Sequence, residues 1–222
     1  KKKIKIIKFL QNIKNVLLIY LNMYFIIDTV SKKSRIILKT NNIINSIIIP
    51  SNNKIQISES IINKLLKVFK KDFNLEKINT IAVCTGPGSY TGLRIGIAVA
   101  IGLRATINAK ICGFGSFEIL LEYSRLNYSY QNVHILIQSG NDQNFYAAFD
   151  EKNNYIIKPY KIENLMNIKE KNPNSILISN HKINKYNKNY SYVTYKEMDK
   201  IFCLDNLSIF SKKEQVIEST YL

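Results

Sequence analysis

The chain is 222 residues long, 46% hydrophobic and formally +16 at neutral pH. That apolar share supports a sizeable core in one large domain or two small lobes and excludes a chain that cannot fold by itself. The charge does not by itself mark a nucleic-acid binder, because lysine supplies most of it and Arg35, Arg94, Arg104 and Arg125 are the only arginines. Phosphate and base recognition favours arginine forks with interleaved aromatics, so a solvated lysine surface accounts for the excess.

Residues 1–22 carry six lysines and no acid around the apolar run Val16–Leu21. That run is shorter than a secretory core or a bilayer span. The segment reads as an extension outside the fold, with an interfacial helix as the alternative. From Met23 the pattern changes. Tyr24–Ile27 reads as a strand ending in Asp28 and Thr29, followed by strands at Arg35–Lys39 and Ile43–Ile49 that Pro50 closes. Ser58-Glu59-Ser60 opens a helix through about Lys71, with Ile61, Ile62, Leu65, Leu66 and Phe69 as its apolar stripe.

The centre of the chain is Thr80–Gly115. A short apolar strand, Ile81–Cys84, stops at Gly86-Pro87-Gly88, and a proline-free apolar segment runs from Leu93 to Ile107. Ser89 and Thr91 offer cap hydroxyls for that helix. A glycine turn before a helix is either plain punctuation or an anion seat, since N–H groups and the helix dipole converge there. Arg94 in the first turn would oppose the dipole and so hints at an acidic neighbour. The helix is apolar nearly all round, which implies burial on more than one side. Gly92 and Gly96, one turn apart, leave a track for close approach by another backbone, and the helix is a candidate partner surface.

Lys110–Gly113 follows as a strand, and Ser116 can cap a helix from Phe117 to about Arg125. Val133–Gln138, Asn144–Asp150 and Tyr155–Ile157 read as strands of a second sheet. Beyond Lys158 the chain is polar, with one apolar strand at Ile176–Ile178 and loops around it. Tyr186, Tyr190, Tyr192 and Tyr195 read as core edge or as a base-stacking surface. Cys84, Cys112 and Cys203 lie far apart without a C-x-x-C pair, and His134 and His181 are isolated. This suits a reducing cytoplasm and gives no transition-metal signal.

The stretch GPGSYTGLRIG, its apolar helix, the next strand and Gly-Phe-Gly-Ser resemble the signature of the TsaB (YeaZ) family, most densely over Asn79–Leu120. That family is paralogous to the glycoprotease-like TsaD subunit of tRNA threonylcarbamoyladenosine synthesis. The resemblance implies an α/β, actin-like fold of two lobes with mixed sheets flanked by helices. Residues 23–115 would form the first lobe and 116–222 a reduced second one. It makes Asp28-Thr29 the end of a hairpin that nucleotide-using members aim at metal and phosphate, although Val30 interrupts the pattern. Asp28 then serves either to hold the hairpin through an Asx-type bond or as a ligand contact. Thr29, Gly86, Gly88, Ser89 and Thr91 would lie near the same anion.

In the catalytic paralogue an H-x-x-x-H metal pair begins at the helix before the central unit, where this chain has Ile57 and Ile61. No metal site and no catalytic residue carry over. The family's Asp-Ala-Arg turn is replaced by Ser139-Gly140-Asn141-Asp142, and its Pro-x-Tyr-Leu ending by Ser219–Leu222. The implied function is a noncatalytic subunit of the tRNA-modifying complex. It would pair with a TsaD-like enzyme, act with a TsaE-like ATPase, reach tRNA through the complex, and form homodimers alone, with no membrane involved. The expected partner face is Ile61, Ile62, Leu65, Leu66, Phe69, Gly92, Leu93, Arg94, Gly96, Ile97 and Ala100. A bulky residue at Gly96 is expected to disrupt pairing but not folding. No cofactor is assigned to the chain, and ATP or ADP is expected only at the complex interface. The competing classes are an actin-like ATPase or kinase using Asp28 and the glycine loop, and an RNA-binding module.

Overall fold

The structure, a computed structural model, describes residues 23–40, 43–50, 56–69, 75–139, 143–162, 168, 174–183 and 190–202. The expectations for residues 1–22, the 139–142 turn beyond Ser139, Tyr186, Cys203 and Ser219–Leu222 lie outside them. The strands are β1 (Met23–Asp28), β2 (Arg35–Thr40), β3 (Ile43–Ile48), β4 (Ile78–Gly86) and β5 (Lys110–Gly115), then β6 (Asn132–Gln138), β7 (Asn144–Asp150), β8 (Tyr155–Ile162), β9 (Ser175–Ser179) and β10 (Tyr190–Tyr192). The helices are α1 (Ile57–Phe69), α2 (Tyr90–Thr106), α3 (Ser116–Asn127) and α4 (Tyr195–Ile201).

Two five-stranded mixed sheets result, in the orders β3-β2-β1-β4-β5 and β10-β9-β6-β7-β8. In the first, β1 runs antiparallel to β2 and parallel to β4, which is parallel to β5. The parallel pairs need crossovers, and α1 and α2 supply them. Both faces of this sheet are covered, so its strands read as unbroken apolar runs.

Alternation assigns each side chain its layer. Phe25 and Ile27 of β1, Ile36 and Leu38 of β2, and Ile81 and Val83 of β4 pack with Ile61, Leu65 and Ala100 under α1 and α2. Ile26, Ile37, Ala82 and Cys84 point the other way. They join one cluster with α3, with Val133, Ile135 and Ile137 of β6, and with Met198, Ile201 and Phe202 at the end of the described chain. The two sheets therefore share a core, with α3 and α4 between them. Phe114 and Phe202 meet edge to face across it, 5.5 Å between ring centroids. The far face of the second sheet carries a smaller cluster, Leu136, Tyr146, Ala148 and Leu177 among it.

The α/β arrangement of mixed sheets flanked by helices expected from the resemblance is the one found. Among the described residues beyond Lys158 there are more regular elements than expected: β8 continues to Ile162, and β10 and α4 follow the apolar strand. The Thr194 hydroxyl accepts the Glu197 N–H and the Glu197 carboxylate accepts the Thr194 N–H, a reciprocal cap that starts α4. This T-x-x-E signal stood in the sequence. Gly115, not Ser116, is the N-cap of α3, and its N–H donates to the Glu118 carboxylate.

Candidate functional site

The glycine turn sits against the end of β1. Gly86 and Gly88 have φ of 94° and 155°, a region where a side chain is strained, and a Cβ on Gly88 would overlap the Val30 side chain. The Ser89 N–H donates to the Val30 carbonyl at 3.2 Å, and the Ser89 hydroxyl caps α2 by accepting the Gly92 N–H at 3.2 Å. Two of the donors an anion seat could use, the Ser89 and Gly92 N–H groups, are thus spent inside the chain. Val30, which breaks the family's hairpin pattern, is buried and supplies that carbonyl. Thr91 lies within the helix with an exposed side chain and is not the cap.

Gly92 and Gly96 serve a contact within the chain. A Cβ on Gly92 would overlap the Thr29 carbonyl, and one on Gly96 the Thr29 hydroxyl, which donates to the Gly92 carbonyl at 2.6 Å. The approaching backbone is the end of β1 itself. This corrects the expectation of a glycine track open to a partner. Leu93 and Ala100 are buried on the same face, as are Ile61 and Leu65 of α1. Helix α2 is buried on one side rather than all round.

Its outward stripe is Arg94, Ala98, Ile101 and Ala105, spaced by four, three and four residues along α2. Ile101 is 54% exposed, and on the neighbouring α1 Ile62 and Leu66 are 55% and 51% exposed. Ile97 is half-buried and packs against both clusters that meet at α2. Phe69 closes α1, and its side chain is outside the described set. Because the helix begins at Tyr90, Arg94 falls beyond the first turn. Its guanidinium lies 5.6 Å from the Tyr90 ring centroid, so the dipole argument for an acidic neighbour lapses.

Between the sheets a small cleft, partly open to solvent, is lined by Asp28, Ser31, Arg35, Cys84, Ser116 and Asn180 among others. Asp28 Oδ1 accepts the N–H groups of Val30 (3.2 Å) and Ser31 (3.0 Å), and Oδ2 accepts the Ser31 hydroxyl (2.7 Å). Arg35, its cross-strand neighbour on β2, adds an ion pair of 3.1 Å to Oδ2. The same guanidinium reaches Asp199 of α4 at 3.2 Å. Burial, with help from the Asp28 charge, raises the Asp199 carboxyl above its usual range although Arg35 opposes that. Cys84 is pushed up to about 12 by burial first and the Asp28 charge second, so it stays a neutral thiol. Sequence reasoning did not find Arg35 or Asp199. The signal for Arg35 was a charged residue in phase with Ile37 at the start of an apolar strand, facing an acid across the hairpin.

Most of the chain, residues 38–219, matches the family described as TsaD, tRNA N6-adenosine threonylcarbamoyltransferase. The chain belongs to the TsaD family. Over 110 residues it is 26% identical to the tRNA threonylcarbamoyladenosine biosynthesis protein TsaB of Buchnera aphidicola subsp. Schizaphis graminum, an alignment covering 47% of this chain and 52% of that protein. The match thus spans about half the length of that curated relative. Two solved Pseudomonas aeruginosa proteins share the fold. A protein described as similar to peptidase YEAZ superposes with a TM-score of 0.58 at 12% identity, covering 82% of this chain and 90% of its own. YeaZ itself gives 0.53 at 15%, covering 71% and 75%.

The TsaD resemblance implies a metal pair on α1, and the residues here do not fit one. Ile57 and Ile61 have no donor atom, and Ile61 is wholly buried in the core. Among the described residues no group of three or more His, Cys, Asp or Glu is placed to hold a metal. Asp28, the acid that would face metal and phosphate, spends both oxygens on its own turn and on Arg35. Among the described residues no helix is long and apolar enough to cross a membrane.

Proposed function

We propose that this chain is a noncatalytic subunit in tRNA threonylcarbamoyladenosine biosynthesis, which holds and supports a TsaD-like threonylcarbamoyltransferase. The observation that carries the reading is a member of the TsaD family with isoleucines, Ile57 and Ile61, where the catalytic paralogue's metal pair would stand. Chemistry then belongs to the partner, and this chain contributes surface. The face in question is the outward side of α1 and α2, where Ile62, Leu66 and Ile101 leave apolar area in water.

In this reading the TsaD-like subunit covers that face, a TsaE-like ATPase joins the pair, and tRNA is met through the complex. Two copies of the chain pair through the same helices when the enzyme is missing. Any ATP or ADP is held at the interface of the complex, because the chain's own cleft has no acid to spare. The nucleoside composition of cellular tRNA after depletion of the chain tests the role. Threonylcarbamoyladenosine should fall and return when the chain is restored, whereas an unchanged level would overturn the assignment. Threonylcarbamoyl transfer by the purified chain alone would overturn its noncatalytic part.

A further inference from the structure

We infer that Arg35 is a built-in cation that bolts helix α4 to the β1–β2 turn without any ligand. The guanidinium is 1% exposed and is shared between elements far apart in sequence. Nη2 lies 3.1 Å from Asp28 Oδ2 in the first sheet, Nε 3.2 Å from Asp199 Oδ1 on α4, and Nη1 donates to the Tyr195 carbonyl at 3.4 Å. Two guanidinium nitrogens thus face carboxylates and the third donates to a carbonyl, although the Nε–Asp199 contact is an ion pair without hydrogen-bond alignment. A planar fork offers this spread of contacts and a lysine ammonium does not. A neighbour on the same turn reinforces the link, since the Lys33 ammonium stands 4.5 Å from the Tyr195 ring centroid.

The bolt is confined to one joint. Helix α4 spans only Tyr195–Ile201, too short to hold its form by propensity. It meets the rest of the molecule through an apolar side, Met198, Ile201 and the following Phe202 in the shared core, and through this polar one. Taking the guanidinium away leaves the buried Asp28 carboxylate and the part-buried Asp199 carboxylate without the cation they share. The place beside Asp28 where the family resemblance would put metal and phosphate is occupied here by a side chain of the same strand pair. The inference does not depend on the proposed role in tRNA modification.

Hydrogen exchange on the full chain tests it, because a joint that opens locally loses protection there and not elsewhere. Arg35→Met keeps length and removes charge. We expect amides of residues 195–201 to exchange at least tenfold faster while those of β4 stay within about twofold of the wild type. Arg35→Lys should behave like Arg35→Met. Asp199→Asn should loosen the same helix at least threefold, and the double variant should be no looser than Arg35→Met alone, as expected of two ends of one contact. If Arg35→Met does not fold, Asp199→Asn is judged by the same standard. Wild-type protection of α4 in these variants, or equal loosening of α4 and β4, would overturn the inference.

Discussion

The two faces of helix α2 are both rich in small and aliphatic residues and have opposite fates. The inward face carries Gly92, Leu93, Gly96 and Ala100 and is pressed so closely onto Thr29 that no side chain fits at the glycines. The outward face carries Arg94, Ala98, Ile101 and Ala105, and its largest apolar group stays half in water. An all-round apolar helix therefore need not be wrapped by its own chain. Glycines mark where the chain closes on itself, and the outward residues are left in solvent.

Substitutions on α2 should separate the faces, beginning with the inward one. Gly92→Leu is expected to cost about 3 kcal/mol or more, because the overlap is with backbone that cannot step aside. Urea unfolding checks this, and a variant as stable as the wild type would erase the distinction. Gly96→Leu should behave alike, which reverses the expectation that bulk at Gly96 spares the fold. Ile97, at the margin between the faces, should cost about 2 kcal/mol as Ile97→Ala, at the low end for truncated core aliphatics since it is half-buried.

The dryness of the interior gives a smaller effect with a defined sign. Cys84 is raised to about 12 and Cys112, by burial, to about 11, so the folded state disfavours their thiolates. Their contribution to stability is complete below the ordinary thiol value near 9 and is lost as pH rises from there toward the folded values. Each can account for at most about 1.4 kcal/mol per pH unit. Stability measured between pH 8 and 10 should fall above 9, less steeply in Cys84→Ala. At pH 8 a maleimide should label Ala98→Cys on the outward stripe at least tenfold faster than Cys84. The smallest effect on stability belongs to the outward side of α1 and α2, where Ile62→Asp or Ile101→Asp should change unfolding by no more than about 0.5 kcal/mol.

Much of this was written in the sequence, and where it was not the reasons are physical. Strands β1, β2, β4, β6 and β7 are strongly β-branched or aromatic runs bounded by turns, and their places follow from periodicity. The strand-turn-helix unit at Thr80–Ile107 follows from Gly86-Pro87-Gly88 and Ser89 in the same way. Periodicity does not say which side of an evenly apolar helix turns inward. That was decided by Thr29, 63 residues from Gly92 in the chain, and by the sheet beneath. Asp28 could be read as a turn acid or a ligand until Arg35 was seen opposite it. The Arg35–Asp199 pair was out of reach because its partners are 164 positions apart and Asp199 lies in a lysine-rich stretch that reads as loop.

Affinity for the TsaD-like enzyme of the same cell, measured by titration calorimetry beside unfolding stability, tests most directly the claim that this helix pair is the chain's partner face. Ile62→Asp and Ile101→Asp should bind at least tenfold more weakly while unfolding as the wild type does. Wild-type affinity in both variants would contradict the account and return the outward side of α1 and α2 to ordinary solvent-facing surface.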